Sequence, residues 1–550
     1  MSLRADLTRC IADARDRAIA AGDLVIPDGA TLPEVGLERP AKPEHGDWAS
    51  NVAMQLAPVA RAAPMQIAEA ILARLEGAPS IAGASVAAPG FLNLRLDPAW
   101  VAAQVGPIRD AGTDYGRGMT AEPRRINVEF VSANPTGPLH VGNARGAFVG
   151  DVLSRVLTAV GHEVVREYYF NDFGTQVVNL GLSVLARRNG TDPPEDGYRG
   201  AYVEELAPEL PEGVISEANA APDEAGRIVG AWATERVRAG IEASLSRLGV
   251  TFEVWKEESS LHDGGWVERA VERLRASGHV YEADGATWFR STAFGDDKDR
   301  VIYRSNGLPT YFASDIGYVT EKLSRGFDEL IYIWGADHHG TVARVRNAAE
   351  AMGFDREAIR MLLIAWVRFV RDGVEIAMSK RSGEFITLDD VLDEVGVDAA
   401  RWYFSSRAYT TGIDFDLELA KKQSSENPVY YVQYAHARAS SILRIAAEGG
   451  IAPDATRTAE LLVHPAEQAL VRHLLDFPDA LALAAERRET HEVPRYCYEL
   501  ATAFSAFYRD CKVLSEDAPL SAARLALVDA TRSVLADGLD LLGISAPDSM

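Results

Sequence analysis

The residues best placed for chemistry sit in one loop, Ser132-Ala133-Asn134-Pro135-Thr136-Gly137-Pro138-Leu139-His140-Val141-Gly142-Asn143. Before it, Ile126 to Val131 reads as a buried strand. After it, Phe148, Val152, Val156 and Val160 recur every four residues, a helix that Gly161 is suited to end. Glu163 to Phe170 reads as a second strand, so the run is strand, loop, helix, strand, a βαβ unit that implies a parallel sheet. The loop therefore lies at a helix N-terminus, where unpaired N–H groups and the helix dipole attract anions. His140 can hydrogen-bond a phosphate oxygen. Gly142 lets a phosphate approach the backbone because it carries no side chain, and the Asn143 amide can donate. Neither G-x-G-x-x-G nor G-x-x-x-x-G-K-[ST] is present, which argues against a Rossmann dehydrogenase and a P-loop ATPase.

Two further stretches carry usable groups. Ala377-Met378-Ser379-Lys380-Arg381-Ser382-Gly383, about 240 residues downstream, is a basic segment that by composition alone is a solvated turn. In Pro309 to Asp315, Tyr311 and Asp315 stand at i, i+4 and share a face if the stretch is helical. Residue type leaves Asp315 either an exposed helix acid or a carboxylate for a planar cation, which it can grip side-on through two parallel bonds. Glu129 alternates with Val128 and Phe130 on its strand, so it can reach a cleft.

The elements that must hold these groups follow from periodicity. Leu3, Leu7, Ile11, Ala14 and Ala18 form one helical face, and Leu92, Leu94 and Leu96 alternate as in a strand. Residues 1–105 read as a small α+β domain. Residues 106–417 read as an α/β domain with a parallel sheet, with strands again near 300–303, 329–334 and 362–370. A Pro-, Gly- and acid-rich stretch begins an insertion near 187–290. From 418 to 550 the pattern is helical, with Leu500, Ala503, Phe504, Phe507 and Tyr508 forming a wide apolar stripe suited to helix packing.

The 550 residues are 47% hydrophobic and 25% charged, ordinary for a globular chain of several domains. The net charge of −24 argues mildly against nucleic acid, since phosphate contacts need clustered cations. Cys10, Cys497 and Cys511 make no C-x-x-C pair, which fits a reducing compartment and buried structural thiols. The N-terminus does not read as a signal peptide, and no apolar run is long enough to span a membrane.

His140-Val141-Gly142-Asn143 resembles the HIGH motif of class I aminoacyl-tRNA synthetases, with Asn143 in place of the second His. Met378-Ser379-Lys380 resembles the centre of KMSKS, with Ala377 and Arg381 replacing the outer Lys and Ser. Further stretches narrow the resemblance to the arginyl-tRNA synthetase family. They are Val128 to Phe130, Ser132 to Pro138, Asn171-Asp172-Phe173-Gly174-Thr175-Gln176, Gly335-Ala336-Asp337-His338-His339, Asp389 to Arg401 and Asn427 to Arg438, together with Pro43 to Trp48. The match spans nearly the whole chain.

The resemblance implies a Rossmann-like catalytic domain between an N-terminal tRNA-contacting domain and a C-terminal helical anticodon-binding bundle. It implies a cytoplasmic monomer that joins L-arginine to its tRNA through an adenylate, using ATP and magnesium without a metal site of its own. Asp315 and Tyr311 would take the guanidinium, and Glu129 and Asn134 the α-amino and carboxylate end. His140, Gly142, Asn143, His338, Met378, Ser379 and Lys380 would bind ATP, with His140, Asn143 and Lys380 catalytic and His140, Lys380 and magnesium carrying developing phosphate charge. For Asp337-His338-His339 a zinc site is the rival reading, and no third ligand is evident. Tyr430, Tyr434, His436 and Arg438 would meet tRNA, although some tail aromatics read equally as core. Removal of 421–550 is expected to leave a folded catalytic domain, and the insertion is not expected to proofread.

Overall fold

The structure is a computed structural model that describes residues 2–376 and 386–550. The segment carrying Met378, Ser379 and Lys380 lies outside the described residues. The chain opens with helix Leu3–Ala20, whose first turn is capped by Ser2 (Ala5 N donates to Oγ, 3.2 Å). Its five periodic residues, Leu3, Leu7, Ile11, Ala14 and Ala18, are all buried. The helix belongs to a domain with a small antiparallel sheet of β1 (Trp48–Ser50), β2 (Ile81–Ala87) and β3 (Phe91–Leu96), in the order β1-β3-β2.

The central sheet comprises β4 (Arg125–Glu129), β5 (Glu163–Phe170), β6 (Val254–Glu257), β10 (Glu329–Gly335) and β11 (Ile359–Ile364). Between β6 and β10, β7 (Val280–Ala283), β8 (Ala286–Phe289) and β9 (Arg300–Tyr303) form a separate antiparallel sheet. After β11 come β12 (Val367–Arg371), β13 (Val374–Ile376) and β14 (Ile413–Asp416), a third small sheet. The central strands are all parallel, in the order β11-β10-β4-β5-β6. β4 comes first in sequence yet lies in the middle, so successive strands depart from it in opposite directions. The crevice at the carboxyl ends on either side of β4 is where an open α/β sheet binds ligands.

The helix Val141–Val160 follows β4 and packs closely on it. A Cβ at Gly150 would sit 2.2 Å from the Phe130 ring, so glycine sets the helix-to-strand distance there. Gly161 ends that helix at φ 109°, as its sequence position suggests.

Two expectations need correction. The stretch 187–290 is not one inserted block, because β6 pairs in parallel register with β5 (Glu167 opposite Val254) and is an edge strand of the central sheet. Residues 201–220 within it form two short helices. The single strand expected at 362–370 is two strands, β11 and β12, broken at Ala365-Trp366.

From Pro428 onward the chain is helical, with long helices Pro428–Glu448, Glu492–Asp510 and Ala518–Leu541. This bundle is not separable from the catalytic sheet. One buried apolar cluster includes Leu7, Phe148 and Phe504. Arg488, just past helix Phe477–Arg487, buries its guanidinium on Glu329 at the start of β10 (Nη2 to the carboxylate, 2.9 and 2.6 Å). Removing residues 421–550 would leave Glu329 and that apolar face uncovered, so a stable truncated catalytic domain no longer follows.

Candidate active site

A single cleft of about 930 Å³ opens at the carboxyl ends of the central strands. Ligand pockets of small molecules run roughly 300–1,000 Å³. Glu129, Asn134, His140, Gly142, Asn143, Tyr311, Asp315 and His338 all line it. Residues far apart in sequence thus meet because each sits at a strand end or on a helix that follows one.

At the end of β4 the backbone turns sharply. Val131 and Ser132 have φ of 67° and 43°, a left-handed conformation that a β-branched residue rarely adopts. Hydrogen bonds hold the turn. Ser132 Oγ donates to Glu129 Oε1 at 3.1 Å and accepts from Tyr169 N at 3.1 Å. Tyr168 bridges the backbone of Ala133, accepting from its N–H at 3.1 Å and donating to its carbonyl at 2.8 Å. Asn134 Nδ2 donates to Gln176 Oε1 at 2.8 Å.

His140 is the N-cap of helix Val141–Val160, and its Nδ1 accepts from Gly142 N at 3.1 Å. That bond puts the neutral ring's proton on Nε2. Burial lowers its pKa from the ordinary imidazole value, so the ring is neutral at pH 7. Gly142 has a reason beyond ligand approach: a Cβ there would lie 2.8 Å from the His140 ring. The loop is also stitched to the chain that follows residue 385. Val141 N donates to Ile386 O at 3.2 Å, and Leu388 N donates to Leu139 O at 2.9 Å. Thr387 and Asp390 form a capping box at the helix that begins there.

Opposite, helix Tyr311–Ser324 supplies Asp315 and Tyr311. Both line the cleft, Asp315 half-buried and Tyr311 74% exposed at its mouth. Asp315 is pushed up to about 7, chiefly by burial. Arg344 opposes that shift, while Glu258 and Glu129 add to it. Glu258 is buried beside it and is likewise raised, mainly by burial. Glu129 differs: its carboxylate meets Lys322 Nζ at 2.5 Å, and that ammonium lies over the Tyr318 and Tyr332 rings.

Sequence reading missed Glu258 because it fell inside the supposed insertion. It directly follows β6, and an acid at the carboxyl end of a parallel strand was the available signal. It also missed Lys322, which looks like an ordinary helix-end cation.

In the helical tail, Tyr430 and Tyr434 stack with centroids 6.3 Å apart. Arg438 lies over Tyr434 at 4.6 Å and over Tyr508 at 4.7 Å. His436 is corrected. It is 2% exposed, and its Nδ1 donates to Pro547 O at 2.9 Å, so it anchors the C-terminal segment and no base can stack on it. Cations near the start of the tail are matched by acids. Lys421 pairs with Glu418 (2.7 Å), Lys422 with Glu426 (2.5 Å) and Arg444 with Glu448 (2.8 Å). His338 and Asp337 are exposed, with His338 Nε2 3.5 Å from the Asp337 carboxylate. Among the described residues, the group with metal-ligand spacing is Glu489, His491 and Glu492 in the tail, not the Asp337-His338-His339 run.

Comparison with known proteins bears on the whole chain. The family model for the arginyl tRNA synthetase N-terminal domain matches residues 3–96. That for the class I (R) tRNA synthetase catalytic domain matches 111–192 and 232–406, and that for the DALR anticodon binding domain matches 432–550. The catalytic match passes over 193–231 and keeps β6. An arginine–tRNA ligase from Heliobacterium modesticaldum is 45% identical, covering 94% of each chain. One from Moorella thermoacetica is 43% identical, covering 99% of this chain and 98% of its own. The solved arginyl-tRNA synthetase of Thermus thermophilus is 26% identical, with a TM-score of 0.81 over the full length of both chains. With a parallel-sheet cleft lined by the loop motif, and relatives matched from end to end, the chain belongs to the arginyl-tRNA synthetase family.

Proposed function

We propose a division of labour among the cleft residues for the reaction this family membership carries. That reaction joins L-arginine to its cognate tRNA using ATP, through arginyl-adenylate, with release of AMP and pyrophosphate. The observation that supports the reading most is the pair of desolvated carboxylates, Asp315 and Glu258, beside the His140-capped helix. Two acids at raised pKa, one buried and one half-buried, make a site that prefers a cation, and the guanidinium is planar and permanently charged. Asp315 takes it side-on, Glu258 adds a second carboxylate, and Tyr311 closes over it at the mouth. Glu129, paired with Lys322, and Asn134 orient the α-amino and carboxylate end.

The arginine carboxylate then attacks the α-phosphate and pyrophosphate leaves. The terminal ribose hydroxyl of tRNA next attacks the adenylate carbonyl and AMP leaves. Neither step needs a protein nucleophile, so catalysis is positioning and charge stabilisation. His140 donates from Nε2 to a phosphate oxygen, with Gly142 and Asn143 contributing backbone and amide and His338 standing at the mouth. Met378, Ser379 and Lys380 complete the phosphate site in this reading. Magnesium arrives on the nucleotide and neutralises phosphate charge. Outside the cleft, residues 1–105 touch tRNA, 106–417 catalyse, and Tyr430, Tyr434 and Arg438 within 418–550 stack on anticodon bases. The enzyme works as a cytoplasmic monomer. Among the described residues, no helix is long and apolar enough to cross a membrane.

Discrimination against uncharged amino acids needs no editing site, because a wrong side chain leaves the desolvated acids unpaired. The test is to charge bulk tRNA with each of the twenty amino acids, ATP and magnesium, in wild type and Asp315→Asn. Charging with arginine alone, lost in the variant, is the expected result. Charging with another amino acid would overturn the assignment of Asp315.

A further inference from the structure

Among the described residues, four lysines or arginines are less than a tenth exposed: Arg145 at 1%, Lys322 at 0%, Arg401 at 0% and Arg488 at 7%. A buried cation is costly unless a carboxylate accompanies it. Three obey that rule. Lys322 meets Glu129 at 2.5 Å, Arg401 meets Asp151 at 2.6 Å and Arg488 meets Glu329 at 2.6 Å. Arg145 forms no ion pair among the described residues.

Its guanidinium instead bridges two backbone carbonyls. Nη1 donates to Ala365 O at 2.9 Å and Nη2 donates to Ala408 O at 2.8 Å. Its Nε is buried with no partner. Burial lowers its pKa to about 10, so it stays charged at neutral pH. Arg145 also lines the cleft, on the same helix as His140 and Gly142. Ala365 stands where β11 gives way to β12, and Ile364 to Val367 form the facing wall. The wall is tied down from behind, since Ala365 N donates to Tyr409 O at 2.8 Å.

We propose that Arg145 is a positioning residue for the nucleotide: it fixes the Ile364–Val367 wall through the Ala365 carbonyl and leaves its own charge to be compensated by the phosphates of bound ATP. The contrast with Arg401 supports this. Asp151, on the same helix, neutralises Arg401 away from the cleft, so the helix can hold a counter-ion where purely structural burial calls for one. Where the cleft opens, none of the described residues pairs with Arg145. An anion entering from solvent then gains the interaction that an internal carboxylate would have used up. The polyanion in this reaction is ATP, whereas arginine brings a carboxylate on one end and a guanidinium on the other. Loss of Arg145 should therefore fall on ATP and spare arginine. The inference rests on the proposed occupancy of the cleft by ATP and arginine.

The test is ATP–pyrophosphate exchange by the full-length enzyme with tRNA present, measuring KM for ATP and for arginine separately in wild type, Arg145→Gln and Arg145→Lys. Arg145→Gln keeps a donor and removes the charge. Its KM for ATP should rise roughly tenfold or more while KM for arginine stays within about twofold, on the scale of a hydrogen bond to a charged group. Arg145→Lys restores charge but not the two-carbonyl fork, and its KM for ATP should rise about threefold, recovering most of the loss. If Arg145→Gln does not fold, Arg145→Lys decides alone through the same selective rise. The two KM values rising together, or neither moving while thermal stability drops, would overturn the proposal and leave Arg145 a structural clamp. Failure of the wild type to exchange would instead count against the functional reading itself.

Discussion

The catalytic cleft and the helical tail hold charge in opposite ways. In the tail, Lys421, Lys422 and Arg444 each face a glutamate three or four residues away, and all are solvated. Such surface pairs contribute about 0–1 kcal/mol and are screened by salt. In the cleft, Asp315 and Glu258 are desolvated beside each other, and Arg145 is buried with carbonyls for company. Glu258 has hydrogen bonds with Ser314 and Tyr169, and Asp315 feels the attraction of Arg344, yet among the described residues none of the three forms an ion pair. An unpaired charge that has lost its water marks where a ligand goes, while a paired charge in water marks very little. This resolves the tension between a net charge of −24 and an RNA substrate. The total does not say where field is available, and in the tail the exposed Tyr434 and half-buried Tyr430 with Arg438 are better candidates for RNA contact than the lysines.

That comparison can be broken most directly at Asp315. Asp315→Asn should lower kcat/KM for arginine by about 10³-fold or more, because the guanidinium loses its ionised partner in a desolvated site. Thermal stability of the empty enzyme should hold or improve at pH 8, since the replaced acid is disfavoured there. A large loss of stability with unchanged kinetics would mean the acid is structural.

The next effect is in pH. Asp315 is raised from 3.8 to about 7 in the empty cleft, and arginine requires it ionised. KM for arginine should therefore climb by up to about tenfold per unit as pH falls below 7 and level off above it. Stability has the opposite sign. The folded chain keeps a proton that the unfolded chain releases at its lower pKa, so Asp315 makes the empty enzyme lose stability as pH rises through that window, and arginine should remove the decline. Denaturant melts at several pH values, with and without arginine, check both, and a flat profile in wild type would refute the assignment.

Glu258→Gln should act in the same direction but less, raising KM for arginine about tenfold with KM for ATP unchanged. Pairing it with Asp315→Asn in a double-mutant cycle would show whether the two acids share one guanidinium.

The smallest effects sharpen the tail side. Tyr434→Ala should raise KM for tRNA about fivefold through lost stacking. Lys422→Ala, which removes a cation already matched by Glu426, should change it by less than about twofold. The reverse ranking would return the tail to an electrostatic role.

Several elements were legible from the sequence for reasons that can be named. Periodicity located helix Leu3–Ala20 and helix Val141–Val160, because burial of one face imposes its spacing on the residues that supply it. The run around β4 and β5 pointed to a parallel sheet, and Gly161 marked a helix end, because backbone geometry there depends on local residue types. The i, i+4 spacing of Tyr311 and Asp315 put both at the cleft for the same reason. The insertion was misdrawn because β6 is only four residues long and lies beyond a long helical excursion. Nothing local says that so short a strand pairs with one about ninety residues earlier. That error concealed Glu258. His436 was misread because a ring on a helix gives no sign of whether its face is covered, and the cover is the C-terminal segment about 110 residues on.

By itself, then, the sequence determined the loop at the helix N-terminus and residue types, His140 and Asp315 among them, suited to phosphate and a guanidinium. Only the tertiary structure decided which of those groups lose their water and which find a counter-ion. Lys322 went to Glu129, Asp151 to Arg401 and Glu329 to Arg488, while Asp315, Glu258 and Arg145 were left to the cleft. The physical reason is that desolvation and ion pairing depend on distances between segments joined only by the fold, and a residue's type and its near neighbours in sequence carry no record of them.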